Sequence, residues 1–215
     1  MDDRFPKYLR FTISKLSFLA IPNLGMLIAG LAILGFVGLV FLQAPVERFT
    51  FNPYAFWAGE YWRIFAFPIF DSPIWLTFFC LYVYFIYGML ETSWGEAPTT
   101  IFTVFTYAMA VVASLAFGQS MEIWTTTIII VGLAFGTLFP EMEFYLFFVL
   151  PVKAKWLSAL GGLIFLYEFI TGTMATRGFL LIVLSPYLIF FGPYLVRTVM
   201  TRLQIRRNRN RFDGK

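Results

Sequence analysis

Thr125, Thr126 and Thr127, within EIWTTTIIIVGLAFGTLFP (122–140), set three hydroxyls just before an unbroken apolar run. Such hydroxyls are either a nucleophile, its relic, or polar residues at a membrane surface. A threonine oxygen attacks a carbonyl only when a neighbouring base takes its proton. The chain has no histidine, which removes the commonest base near neutral pH and the commonest transition-metal ligand. With one cysteine, Cys80, zinc, haem and copper sites lack ligands, so no metal and no cofactor is expected. A lone cysteine also excludes an internal disulfide. The lysines lie in the tails and in PVKAKW (151–156), far from Thr125 in the expected topology. The acids near apolar runs are Glu91, Glu122 and Glu168, each at a run's end, where solvation or pairing is the ordinary fate and a proton relay the alternative. No proton acceptor is therefore expected beside a hydroxyl. The threonines are expected to cap the helix that follows, their oxygens accepting from its free N–H groups. A polar patch for a client helix at Thr125 and Thr126 is the other reading.

The elements that must position these residues follow from composition. The chain is 60% hydrophobic and 13% charged, with a mean hydropathy of +0.77. Soluble domains carry about 25% charged residues, and 28 phenylalanines in 215 residues exceed what a soluble core of this size hides. The expected class is an all-α integral, multi-pass membrane protein. Apolar runs fall at 17–43, 74–91, 98–118, 124–139, 156–171 and 179–200, predicting a six-helix transmembrane bundle over residues 17–200. The fourth run is short, about 24 Å as a helix, which suits a helix buried among neighbours.

With six spans, thirteen of the sixteen basic residues fall on one side. These lie in a basic N-tail (1–16), the loops near 92–97 and 140–155, the end of the last run (Arg197) and a basic C-tail (201–215). That bias predicts both termini in the cytoplasm, most simply in a bacterial inner membrane, with an endomembrane as the other setting. The N-terminal stretch lacks a signal-peptide pattern and is expected to be retained. The tails suit anionic lipid, and nucleic acid is not expected as a partner. The segment 44–73 is rich in aromatics and proline with only five charged residues, predicting one or two short amphipathic helices in the outer interface. Gly132-x-x-x-Gly136 predicts close helix packing, as do Gly25, Ala29, Gly35 and Gly38 in the first span.

Several pieces in order resemble the rhomboid (rhomboid/derlin) superfamily of intramembrane proteases. GEYWRIFAFPIF (59–70) is similar to the family's first loop, with Trp62 and Arg63 in place. YGMLETSWG (87–95) resembles its Leu-Glu followed by Trp-Gly, through Glu91, Trp94 and Gly95. GLAFGTLFP (132–140), ending at Pro140, with EMEFYLFFVLPVKAKWL (141–157), resembles the fourth helix and the loop beyond. The resemblance implies a rhomboid-type bundle with a long interfacial first loop and a short central fourth helix. In active members that helix opens with Gly-x-Ser-Gly. The serine's place falls near Thr125, where this chain reads IWTT. The sixth helix of active members supplies a histidine; here GFLLIVLSPYLIFFGPYLV (178–196) carries Ser185 and Tyr187 in that region, with Pro186 and Pro193 expected to interrupt it.

The resemblance therefore implies an inactive member, a rhomboid pseudoprotease, not an enzyme, that binds other membrane proteins in quality control, trafficking or regulation. Phe78, Tyr82 and Phe85 on the second span, with Thr125 and Thr126, are the expected client contacts; the aromatics facing lipid is the plain reading. A structural accessory subunit of a larger membrane complex is the alternative function, and a residual intramembrane serine-type protease the remote one.

Overall fold

The computed structural model describes residues 15–42, 50–65, 68–119, 123–146 and 150–213. Glu122 and most of the N-tail lie outside them. The chain is a mostly helical membrane protein. Its helices are α1 (Leu24–Leu42), α2 (Pro53–Trp57), α3 (Pro73–Trp94), α4 (Glu96–Phe117), α5 (Ile123–Leu138), α6 (Ala154–Thr171) and α7 (Met174–Asp213). Four helical stretches are long and apolar enough to cross a membrane: Leu24–Phe41, Pro73–Trp94, Glu96–Phe117 and Met174–Arg197. Apolar α5 is shorter, and α6 carries Lys155 in its first turn and Glu168 in its last.

Several boundaries differ from the sequence reading, each for a local reason. The first helix starts at Leu24 rather than near 17. Pro22 disfavours helical geometry at Ile21, and Asn23 takes a left-handed φ of 54°. Glu91, on α3, then caps α1 from outside, its carboxylate accepting from Leu24 N–H at 2.7 Å. One residue, Gly95 at φ 102°, turns α3 into α4, a conformation that side chains other than glycine's resist. The last helix begins at Met174, its start capped by Thr173, whose hydroxyl accepts from Thr176 N–H at 3.3 Å.

Pro186 and Pro193 do not interrupt α7, which runs unbroken for 40 residues. A helical proline withholds a donor from the carbonyl four residues back. For Pro186 that carbonyl is Ile182's, and the Ser185 hydroxyl donates to it at 2.7 Å. The helix also continues through the expected C-tail, to Asp213.

Helix α5 sits at the centre, packed on α3, α4, α6 and α7. The broadest contact is α4 on α7, and α1 lies along α3. Trp94, Phe102, Phe190 and Phe191 interlock between α3, α4 and α7 at ring separations of 5.1–5.9 Å. The expected interfacial segment contains two short helices, α2 and a 3-10 turn Tyr61–Phe65. Asn52 caps α2 by accepting from Tyr54 and Ala55 N–H. Exposed Tyr54, Trp57, Tyr61, Trp62 and Phe65 give these helices an aromatic surface. The one sheet among the described residues is an antiparallel ribbon, β1 (Glu143–Leu146) with β2 (Leu150–Lys153), pairing Glu143 with Lys153. A loop was expected there.

Candidate functional site: a groove between α3 and α6

Helix α5 is held against its neighbours by small residues. A Cβ added to Gly136 would lie 1.7 Å from Ser158 Oγ and 2.9 Å from the Ala154 carbonyl. At Gly132 it would meet the Tyr82 hydroxyl at 2.5 Å. Two hydroxyls bind the α5 backbone on this face: Ser158 donates to Gly132 O at 3.0 Å, and Tyr82 to Ile128 O at 3.2 Å. The expected packing role of both glycines holds. In α1, Gly25 abuts Tyr87 and Val83, whereas Gly38 faces open space, correcting its place in a packing face.

Helices α3 and α6 barely meet. Between them, floored by α5 and closed at the back by Phe179 and Leu180 of α7, lies a groove of about 600 Å³. Its wall is mostly apolar. Leu160 and Ile164 are more than half exposed, 56% and 53%, so the groove opens sideways. Polar groups reach it from Tyr82, Thr125, Thr126, Ser158 and Glu168.

Helix α6 runs antiparallel to α5, and the contacts fix their register. Gly136 meets Ser158, and Leu133 lies 3.3 Å from the Cβ position of Gly161 one turn on. Two further turns, about 11 Å along both helices, bring Thr125 and Thr126 level with Glu168. The groove thus ends in two hydroxyl-bearing residues and a carboxylate. The sequence marks Glu168 only as a span-end acid; no sequence pattern links it to the threonines, because the two are joined only by the packing of α5 on α6. Ser158 and Gly161 were likewise unforeseen, although their spacing on α6 echoes the small residues of α5.

The threonines are not caps. All three lie inside α5, at its third to fifth residues. Buried Thr127 donates to Ile123 O at 2.8 Å, one turn back; Thr126 is buried and Thr125 exposed. Ser185 and Tyr187 do not face Thr125. Ser185 is bound to Ile182 O, and Tyr187 shares a 2.7 Å hydrogen bond with Thr137, near the other end of α5. Of the expected client contacts, Tyr82, Thr125 and Thr126 line the groove. Phe78 is exposed outside it, and Phe85 is exposed beside Phe135, rings 6.5 Å apart.

The motif residues are structural where they fall. Arg63 is buried to 8% exposure, pairs with Glu60, donates to Thr50 O at 3.0 Å and lies over the Trp62 ring. Pro140 follows α5, and its carbonyl accepts from Lys155 N–H. Beside it, Glu141 joins Lys153 and Lys155 at 2.7 and 2.6 Å. Those hydrogen bonds hold the Glu141 carboxyl down at about 2 and raise Lys153 above its ordinary value. Both lysines thus sit at the end of α5 opposite Thr125. Among the described residues no cluster of His, Cys, Asp and Glu is arranged to hold a metal. Comparison of the chain with protein-family models, with curated proteins and with solved structures finds no match.

Proposed function

We propose that this chain is a rhomboid-like pseudoprotease. In this reading it has six spans (α1, α3, α4, α5, α6 and α7), both termini are cytoplasmic, and it holds transmembrane segments of other membrane proteins in the groove between α3 and α6. The observation that carries the reading is that sideways opening, whose wall offers hydroxyls to a neighbour in the membrane plane. A client helix with a polar group gains roughly 0.6–2 kcal/mol per hydrogen bond made there instead of in lipid. The chain has no histidine, and α7 meets the groove with the apolar side chains of Phe179 and Leu180. Binding without cleavage follows, serving quality control, trafficking or regulation of its clients.

Photo-crosslinkers at Leu160 and Ile164 test this in native membranes, with Phe41, exposed on α1, as the control. Protein adducts from the groove positions and lipid adducts alone from Phe41 are expected. Lipid adducts alone from all three positions would sink the proposal.

Glu168 beside Thr125 and Thr126 favours one second reading, a residual hydrolase. A carboxylate is a weak base for a hydroxyl. That reading requires cleavage of a transmembrane substrate in liposomes that Thr125→Ala or Thr126→Ala abolishes, and no turnover retires it.

A further inference from the structure

A groove walled by leucine, isoleucine and phenylalanine resembles lipid to an apolar helix, since both offer only dispersion contacts. Selection of a client must come from what lipid lacks. Glu168 is the single charged one among the described residues lining the groove. Among the described residues, the ion pairs are made by other carboxylates, Glu60 and Glu141. The cations nearest the two ends of α6, among the described residues, are held by other groups. Arg177, six residues beyond the end of α6, donates Nε to Phe169 O and Nη2 to Ile170 O, both at 3.0 Å. It thereby serves the negative end of the α6 dipole. Lys153 and Lys155 are held by Glu141 at the opposite end of α6.

Resting on the client-binding reading above, we propose that the groove selects transmembrane helices bearing a lysine or arginine near their outer membrane end, with Glu168 as the recognising group. A basic side chain within a span is costly in lipid and is relieved by an anionic partner. Its methylenes lie along apolar surface while the charged head reaches outward, which matches an apolar groove ending in a carboxylate. An ammonium carries three donors and a guanidinium five, with no acceptor; Thr125 and Thr126 offer hydroxyl oxygens beside the carboxylate for the remaining donors. A helix with an acid at that level meets like charge and is excluded.

The test uses full-length protein in liposomes with a photo-crosslinker at Ile164. Three synthetic transmembrane helices differ at one position, two turns from the outer end: Lys, Leu or Glu. The expected yield is at least fivefold higher for the Lys helix than for the Leu helix, with the Glu helix lowest. Glu168→Gln brings the Lys helix down to the Leu level, and Glu168→Lys inverts the order. Equal yields for Lys and Leu helices overturn the charge selection while groove binding stands. Yields at background for all three overturn both. A Lys preference that survives Glu168→Gln removes Glu168 as the recognising group. The peptide comparison uses one and the same crosslinker-bearing protein for all three helices, so folding of a Glu168 variant does not decide it.

Discussion

Glycines that look alike in the sequence differ sharply in what surrounds them. Gly136 has no room for a methyl group, because Ser158 and the Ala154 backbone already occupy that space. Gly162, on the facing helix, has nothing within 4 Å of its Cβ position. Forcing atoms into a filled contact costs about 1–3 kcal/mol, so Gly136→Ala is expected to lose that much stability in detergent unfolding, while Gly162→Ala changes little. Equal effects would mean that α5 and α6 do not pack this closely. Glu141 offers a second residue-scale check. Its carboxyl pKa is depressed to about 2 from an ordinary 4.5 by Lys153 and Lys155. A depressed value favours the folded ribbon above pH 4.5, and the contribution fades as pH falls towards 2. The Glu141 carboxyl carbon shift should therefore titrate near pH 2; a midpoint near 4.5 would show the clamp open in the membrane-bound protein.

Elements in this chain are held at their ends by side chains from other elements. Glu91 of α3 closes the start of α1, so a single carboxylate ties two helices that also pack along their lengths. Removing one partner of such a bond leaves the other unsatisfied, at about 1–3 kcal/mol. Glu91→Ala should lower the melting temperature and speed amide exchange at Leu24, whereas Glu91→Gln, which keeps an acceptor oxygen, should restore most of both. If the two variants exchange alike, the bond does not hold α1. The same logic explains α7. Ser185 supplies the donor that Pro186 withholds, so Pro186 is carried without the break that sequence rules alone would place there.

Taken as a whole, the molecule is asymmetric: α4 and α7 form a closed aromatic pack, while α3 and α6 stand apart over the groove. A bundle closed on one side and open on the other suits holding a neighbour in the membrane plane. The proposed six-span arrangement makes a separate demand, that the two termini share a side. In a Cys80→Ser background, Asp3→Cys and Lys215→Cys should both label only from the cytoplasmic side with a membrane-impermeant thiol reagent. Labelling from opposite sides would mean an odd number of spans and a different fold.

The membrane class was determined by the sequence alone, because 60% apolar residues with 13% charged leave no other solvent for the chain. Positions of the four inner apolar helices, α3 to α6, were legible within three residues, because hydrocarbon thickness sets their length. Helix α1, by contrast, starts seven residues later, and α7 ends thirteen residues later, than the apolar runs. The close packing at Gly132 and Gly136 was legible too, since small residues at that spacing have few other uses in a span. The capping role given to Thr125–Thr127 was not correct, because where a helix starts depends on the backbone before it, and the start at Ile123 puts the threonines inside. Only the tertiary structure could set Glu168 level with Thr125 and Thr126. Those residues are more than forty apart in sequence, and their meeting follows from the antiparallel register of α5 and α6, fixed at Gly136 and Gly161. Periodicity records which face of a helix is apolar; which faces are left facing a gap is decided by how all the helices pack at once.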